Sequence, residues 1–279
     1  KLYQIYKTTG VSKLMKEVLQ DKISKYKTNS EKYNYLREYL QLLILKIIEE
    51  KGYFQNIAFV GGTAVRILYD LPRFSEDLDF SSIKKLNFKD FLTNIKKELE
   101  LYGFEIEITF KETKTVKNSF IKFKNILQEL NITNQIDQKL SIKIEIDSNP
   151  PKGYELESTI INKEFLIQIR HYTKSSLFSG KLHAVLCRKF TKGRDYYDLL
   201  WFITKKIQPN YAQLANAYFQ TENKKLNFTF PILKTKLLER LTSANFSIIS
   251  KEIQKFIINP QELKYYQKDI YINQIKNWD

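Results

Sequence analysis

The chain has 279 residues, 43% of them hydrophobic, so it is long enough for one large domain or two ordinary ones with a substantial core. It carries 46 lysine and arginine residues against 31 aspartate and glutamate residues, a formal net charge of +15. This excess favours an anionic partner. Nucleic acid is favoured over a membrane, because no basic amphipathic segment stands apart from the globular pattern.

Cys187 is the one cysteine of the sequence, so no disulfide can form within the chain. That usage fits a reducing compartment, and we predict a cytoplasmic protein. The longest apolar run, residues 42–48, is interrupted by Lys46 and is too short to span a bilayer. We therefore predict no membrane partner.

The first elements in chain order are two helices. Residues 11–27 have a moderately amphipathic pattern. A capping-box pattern at Thr28 and Glu31 predicts the start of a stronger helix, which ends near Gly52. The next segment, 57–80, contains an apolar run, a Gly-Gly pair, a short helical pattern, a proline turn and a strand that carries Asp77 and Asp79.

The middle of the chain changes to the alternating pattern of strands after a helix at 88–102, which Gly103 ends. The segment 124–139 is ambiguous, and Asn149-Pro-Pro-Lys-Gly153 is the strongest loop signal. Strands are predicted at 104–110, 119–124, 140–147, 155–160 and 165–169.

Everything after Ser175 has a helical pattern. We expect an α+β protein: a mixed β-sheet flanked by helices in an N-terminal domain, residues 1–172, followed by a helical C-terminal domain, residues 173–279, that contributes to the active-site cleft. Helices are predicted at 177–190, 195–204, 211–219, 232–241 and 247–258, with a tail from Pro260.

Asp77 and Asp79 are two residues apart on a predicted strand, so their side chains leave the same face. Two adjacent carboxylates repel each other unless a cation lies between them. Hard oxygen ligands suit Mg²⁺ or Mn²⁺, and these two residues are the first candidates for metal ligands and for catalysis. Solvated surface is the alternative interpretation of an Asp-x-Asp pair.

Gly61 and Gly62 precede the short helix that Thr63 opens. Without side chains they allow a phosphate to approach backbone N–H groups, and the positive end of the helix favours an anion. A phosphate cradle followed by paired carboxylates indicates a nucleoside triphosphate. We predict that Gly61, Gly62 and Thr63 bind it, together with a second group of residues: Arg66, Ser75, Lys181 and Arg188. Arg66 could instead pair with Glu76 or Asp70.

Glu145 and Asp147 share one face of the strand at 140–147. A third carboxylate beside Asp77 and Asp79 would complete a two-metal site for in-line displacement. We favour Glu145 for this ligand and keep Asp147 as the alternative. An edge strand with a polar solvent face explains the pattern as well.

Lys181 and Arg188 are seven residues apart on a predicted helix, so both cations point to one side. Asp195 and Asp198 are neighbours near the start of the next helix, where carboxylates favour the helix dipole. Lys181 is expected to contact the triphosphate and to neutralise charge that develops during transfer. The simpler alternative is that Asp195 caps the helix and Arg194 pairs with a carboxylate.

Two segments resemble a known family. Gly-Gly-Thr-Ala at 61–64 followed by Arg-Phe-Ser-Glu-Asp-Leu-Asp-Phe at 73–80 is similar to the first motif of nucleotidyltransferases related to DNA polymerase beta, and in particular to the AbiEii toxins of type IV abortive-infection toxin–antitoxin systems. Lys181, Arg188 and Arg-Asp-x-x-Asp at 194–198 resemble the later motif of the same family. The wider superfamily usually has Gly-Ser where Gly62-Thr63 stands, and threonine keeps the hydroxyl.

The resemblance implies an NTP-dependent nucleotidyltransferase toxin in which Lys181 is an essential triphosphate contact and Asp198, or else Asp195, an essential acid. It also implies a cognate antitoxin and, from relatives, an RNA acceptor such as tRNA. Two other functions stay open: nucleotide transfer onto a protein, and a scaffold that binds nucleic acid or antitoxin without turnover.

Overall fold

The computed structural model describes residues 11–113, 115–135 and 137–278. It has an α+β architecture, as predicted: a mixed seven-stranded sheet flanked by helices. The sheet order is β3-β4-β5-β2-β1-β7-β6. Its strands are β1 (Ile57–Val60), β2 (Leu78–Ser82), β3 (Ile106–Glu112), β4 (Val116–Phe123), β5 (Leu140–Asp147), β6 (Leu156–Asn162) and β7 (Leu166–Tyr172).

Helices precede, separate and follow these strands within the described ranges. They are α1 (Val11–Ser24), α2 (Asn29–Glu50), α3 (Gly61–Tyr69), α4 (Phe88–Leu101), a single turn α5 (Ile126–Glu129), α6 (Lys174–Cys187), α7 (Gly193–Thr204), α8 (Tyr211–Glu222), α9 (Phe230–Ser243), α10 (Phe246–Ile253) and α11 (Lys268–Lys276), with 3-10 turns at Tyr53–Gln55 and Pro260–Tyr265. The ambiguous segment 124–139 thus contains one helical turn, and its residue 136 lies outside the described residues.

The start of α2 follows from its capping box. The Thr28 side chain accepts from the backbone N–H of Glu31, and the Glu31 carboxylate accepts from the backbone N–H of Thr28. Both interactions satisfy N–H groups that a helix start leaves unpaired. Residues 39–45 of α2 are buried without a break, so this helix belongs to a core rather than to the surface.

The strand β5 corrects one sequence-based alternative. It is not an edge strand, because it pairs antiparallel with β4 and parallel with β2. Its burial alternates along its whole length, with Leu140, Ile142, Ile144 and Ile146 buried. The polar face of β5 therefore belongs to a strand that is held on both sides.

The chain forms two compact units. One falls within Lys1–Ala58, Glu76–Asn149 and Ser158–Arg170, and the other within Phe59–Ser75, Pro150–Glu157 and His171–Asp279. The carboxylates predicted as metal ligands lie in the first unit, and the glycines, Lys181 and Asp198 lie in the second. The division after residue 172 stays a prediction.

Candidate active site

The first group of candidate residues is a row of carboxylates on β2 and β5. Asp79 lies opposite Glu145 in the parallel register, and Ser81 lies opposite Asp147. Asp77 directly precedes β2, which begins one residue later than the pattern predicted. Opposed residues of a parallel pair point to the same face, so the Asp79 and Glu145 side chains are neighbours.

Lys143 places an ammonium group in this row. Its Nζ pairs with the Glu145 carboxylate. Burial alone would lower the pKa of Lys143, but Glu145, with added contributions from Asp77 and Asp79, holds that pKa above its usual value. The three carboxylates therefore all favour the charged form of this one ammonium group.

Asp147 is engaged differently from Glu145. Its Oδ1 accepts from the backbone N–H of Asn149 at 2.8 Å, so the carboxylate closes the turn after β5. Burial, followed by the nearby Glu145, raises the pKa of Asp147. The register favours Glu145 as the partner of Asp79, whereas Asp147 has a local structural role.

The donor chemistry of this row fits a hard divalent ion, since all of its candidate ligands are carboxylates. Among the described residues, however, no group of three or more His, Cys, Asp or Glu side chains is arranged to hold an ion. One of the candidate ligands, Glu145, pairs with the Lys143 ammonium.

The Gly-Gly pair forms the junction between β1 and α3. The helix begins at Gly61, two residues earlier than predicted, and Gly61 has φ 80°, a left-handed conformation that favours glycine. The preceding residue, Val60, provides no side-chain hydrogen bond to cap the helix. Val60 therefore does not cap α3, and the positive end of the helix is compatible with an anion at this position.

The hydroxyl groups of this region contact each other. Thr63 Oγ1 donates to Ser75 Oγ at 2.7 Å, and both residues are buried. Arg66 donates to the carbonyl groups of Leu71 and Arg73, so its guanidinium fixes the turn that follows α3.

A buried ion network forms the second group of candidate residues. Arg73 Nε and Nη2 donate to the two carboxylate oxygens of Asp198 at 2.6 and 2.7 Å. Lys181 Nζ lies 2.8 Å from Asp198 Oδ2 and 3.8 Å from Asp195 Oδ1. The Asp198 side chain is fully buried, and that of Lys181 keeps 13% of its surface exposed.

The two cations keep Asp198 ionised. Burial alone would raise the pKa of Asp198, but Arg73 and Lys181 outweigh it, and the resulting pKa lies below the ordinary value. Burial would likewise lower the pKa of Arg73, and Asp198 reverses that effect. Asp198 is thus a permanent carboxylate that joins an arginine to a lysine.

Arg188 and Asp195 form a neighbouring pair. The Arg188 guanidinium donates to Asp195, although Arg188 follows the last residue of α6 instead of lying within the helix. Lys192 is the N-cap residue of α7, so Asp195 does not cap it; Asp195 lies in its first turn. Arg194 lies over the Phe256 ring at 4.4 Å. Lys181 and Arg188 both contact Asp195, but the predicted helical spacing does not bring them together, because Arg188 lies beyond the helix end.

Arg73 is the residue of this network that sequence reasoning missed. In the sequence, Arg73 is the first residue of the motif at 73–80, and no local pattern gives it a role of its own. A lone basic residue beside the Pro72 turn, four residues before Asp77, was the available signal. Its partner is 125 positions away, and local patterns do not reveal such pairs.

The histidines and the cysteine do not join a metal-binding group in the described part of the chain. His171 is buried, its Nδ1 lies 2.8 Å from the Tyr172 carbonyl, and burial lowers its pKa. His183 contacts Thr221. Burial raises the pKa of the Cys187 thiol to about 11, so the thiolate form is disfavoured at neutral pH.

Solved structures define the class of fold. JHP933 from Helicobacter pylori is 19% identical, with a TM-score of 0.54 over 87% of this chain and 90% of its own. A second H. pylori protein, described as a putative nucleotidyltransferase, is also 19% identical, with a TM-score of 0.54 over 88% of this chain and 95% of its own. The fold is therefore shared with these structures, and comparison with curated proteins finds no match.

The sequence itself gives the family. Residues 43–267 match the AbiEii nucleotidyl transferase toxins of type IV toxin–antitoxin systems, and the chain belongs to that family. The matched range includes both groups of candidate residues. The chain is accordingly a nucleotidyltransferase, and membership implies an NTP substrate and an antitoxin partner. No helix in the described ranges has the length and apolar character needed to cross a membrane.

Proposed function

We propose that this toxin transfers a nucleoside monophosphate from an NTP to RNA, with tRNA as the acceptor class, in a reaction that depends on Mg²⁺ or Mn²⁺. Growth arrest in abortive infection, in the cytoplasm, would be the consequence. The observation that carries the proposal is the opposed pair of Asp79 and Glu145 with Asp77 beside it, all acting on the Lys143 ammonium.

The transfer joins an acceptor hydroxyl oxygen to the α-phosphorus of the NTP. The bond from that phosphorus to the oxygen bridging the β-phosphate breaks, pyrophosphate leaves, and the hydroxyl proton passes to solvent. When bound, divalent ions would polarise the phosphates and lower the pKa of the attacking hydroxyl. Asp77, Asp79 and Glu145 would hold these ions.

The triphosphate would be bound by residues of the second unit. The first turn of α3 places the backbone of Gly61, Gly62 and Thr63 at the positive end of the helix, which favours an anion. The Lys181 ammonium has an exposed fraction and would neutralise charge on the leaving pyrophosphate. Arg188 is the second cation of this region and would assist. Arg66 and Ser75 make local contacts, so we expect them to hold the turn after α3 in place.

An RNA acceptor is supported by the charge of the chain. A net charge of +15 on 279 residues attracts a phosphate backbone and makes association depend on salt. The description of the matched family names neither RNA nor protein as the acceptor. The assay must therefore detect both.

The test is incubation with each α-labelled NTP in turn, Mg²⁺ and total RNA, followed by separation of RNA from protein. Label is expected in RNA, and it should be lost with EDTA and in Asp77→Asn, Asp79→Asn and Lys181→Ala. Exposed Asp21→Asn and Lys189→Ala are the charge-matched controls and should retain activity. Label in protein alone would overturn the RNA acceptor. Absence of label, together with unchanged growth inhibition by Asp77→Asn, would overturn nucleotidyl transfer as the basis of toxicity.

A further inference from the structure

We propose that Arg73 is a positioning residue for nucleotidyl transfer: it holds Asp198, and Asp198 in turn holds the Lys181 ammonium against the triphosphate. This inference rests on the proposed role of Lys181. It assigns Asp198 a fixed anionic role instead of proton transfer.

The geometry of the Arg73–Asp198 pair fixes the plane of the Asp198 carboxylate. Two parallel N–H···O hydrogen bonds, 2.6 and 2.7 Å long, use both oxygens of the Asp198 carboxylate. Such a bidentate arrangement determines orientation as well as position, which a lysine at the same place cannot do. Asp198 Oδ2 also binds Lys181 Nζ at 2.8 Å, so the direction of the carboxylate sets the position of the ammonium.

Arg73 is itself held at several points. Its Nη1 donates to the Phe74 carbonyl, and its own carbonyl accepts from Arg66. The adjoining backbone N–H of Phe74 donates to the Phe256 carbonyl at 2.9 Å. The hydroxyl of Tyr197, next to Asp198 in the chain, donates to the Pro72 carbonyl. Both partners of the ion pair are therefore fixed through their neighbours.

Gly62 gives independent support. A Cβ atom at Gly62 would lie 2.4 Å from Arg73 Nη2 and 3.4 Å from Lys181 Nζ. Gly62 does not have a positive φ, so its backbone conformation does not require glycine. The close approach of the Arg73 guanidinium does require it. The second glycine of the motif thus makes room for the positioning network, whereas the first serves the turn.

A purely structural role explains the network less well. Buried ion pairs are often replaced by apolar residues without loss of stability, because desolvation offsets their attraction. Among Arg73, Asp198 and Lys181, the Lys181 side chain retains the largest exposed fraction. A partly exposed ammonium that is held by a fixed carboxylate is suited to binding an anion.

The experiment is a double-mutant cycle on NTP binding. Arg73→Lys keeps the charge and loses the bidentate geometry. Affinity for a non-hydrolysable NTP with Mg²⁺ is measured by titration calorimetry in four chains: unaltered, Arg73→Lys, Lys181→Ala and the double variant. Arg73→Lys should weaken binding about 10- to 100-fold in the unaltered background. It should have almost no effect when Lys181 is already absent.

A matched control separates positioning from stability. Leu237→Ala removes a fully buried side chain of the same unit that has no polar contact with the network, and should lower stability while leaving NTP affinity unchanged. Asp198→Glu, which is one methylene longer, should partly restore binding in Arg73→Lys. Equal weakening by Arg73→Lys with and without Lys181, or no weakening at all, would overturn the positioning role and leave the proposed function intact. Failure of the unaltered chain to bind any NTP would contradict both.

Discussion

Asp79 and Glu145 lie opposite each other on two neighbouring parallel strands, although they are 66 positions apart in the chain. Burial alternates along β5, and on β2 Asp79 lies between the buried Leu78 and Phe80, so a shift of register by one residue would send either carboxylate into the core. The sheet therefore fixes the distance between these two acids more firmly than a loop would.

The register predicts unequal effects of two substitutions on β5. Glu145→Gln should weaken Mn²⁺ binding at least about tenfold, because it removes the charge opposite Asp79. Asp147→Asn should change affinity far less, since that side chain closes the turn at Asn149. Electron paramagnetic resonance of free Mn²⁺ measures both. The assignment is wrong if Asp147→Asn has the larger effect.

Replacing Lys143 by methionine should strengthen metal binding. The Lys143 ammonium neutralises Glu145 and interacts with Asp77 and Asp79, so it competes with a divalent ion for the same carboxylates. We expect about a tenfold gain in Mn²⁺ affinity in the same titration. Lys139→Met removes an ammonium that pairs with Glu107 instead, and should leave affinity unaltered. Weaker binding by the Lys143 variant would show that the lysine supports the metal site.

The ionisation of Asp198 should make the free energy of unfolding depend on pH. Its pKa is lower in the folded chain than in the unfolded one, so its contribution is complete above the unfolded pKa of about 3.9 and is lost as pH falls through the folded pKa. Asp198→Asn leaves Arg73 buried without its anion and should cost about 3 kcal/mol at pH 7. Urea unfolding from pH 7 down to pH 3 should show this difference shrinking below about pH 4. A difference that stays constant with pH would contradict an ionised Asp198.

Substitution by alanine should have opposite effects on stability at two glycines that lie on successive helices. At Gly193 a Cβ would lie 2.7 Å from the Ile249 carbonyl oxygen and 2.8 Å from Glu252 Cβ, so Gly193→Ala should destabilise by about 1–3 kcal/mol. At Gly180, within α6, a Cβ meets no atom within 4 Å. Gly180→Ala should therefore stabilise by about 0.5–1 kcal/mol. Urea unfolding at one pH compares the two, and equal shifts would refute the steric explanation.

The sequence predicted the elements that local periodicity controls. The strand at 140–147 has the predicted bounds, and the capping box at Thr28 opens α2 as expected. Lys181 and Asp198 were also singled out, because motif and helical spacing are local signals. The interior position of β5 was not predictable, since pairing with β2 depends on residues far away in the chain.

Arg73 shows why the remaining part of the site could not be predicted. The role of Arg73 depends on Asp198, which contacts it only in the folded chain, and on Gly62, whose missing side chain makes room for it. The sequence alone predicted a phosphate contact for Gly62. It could not predict the steric role of this glycine, because no local sequence pattern indicates such a role. Long-range complementarity of charge and space is the information that composition and periodicity lack.

The environment of Cys187 also has a practical consequence. Because burial raises its pKa to about 11, the natural thiol should react slowly with maleimide dyes near neutral pH. A cysteine introduced at exposed Lys189 would be labelled preferentially. Fluorescence probes can therefore be attached at chosen positions without first removing the native sulfur, and nucleotide-induced motion can be followed in an otherwise unaltered chain.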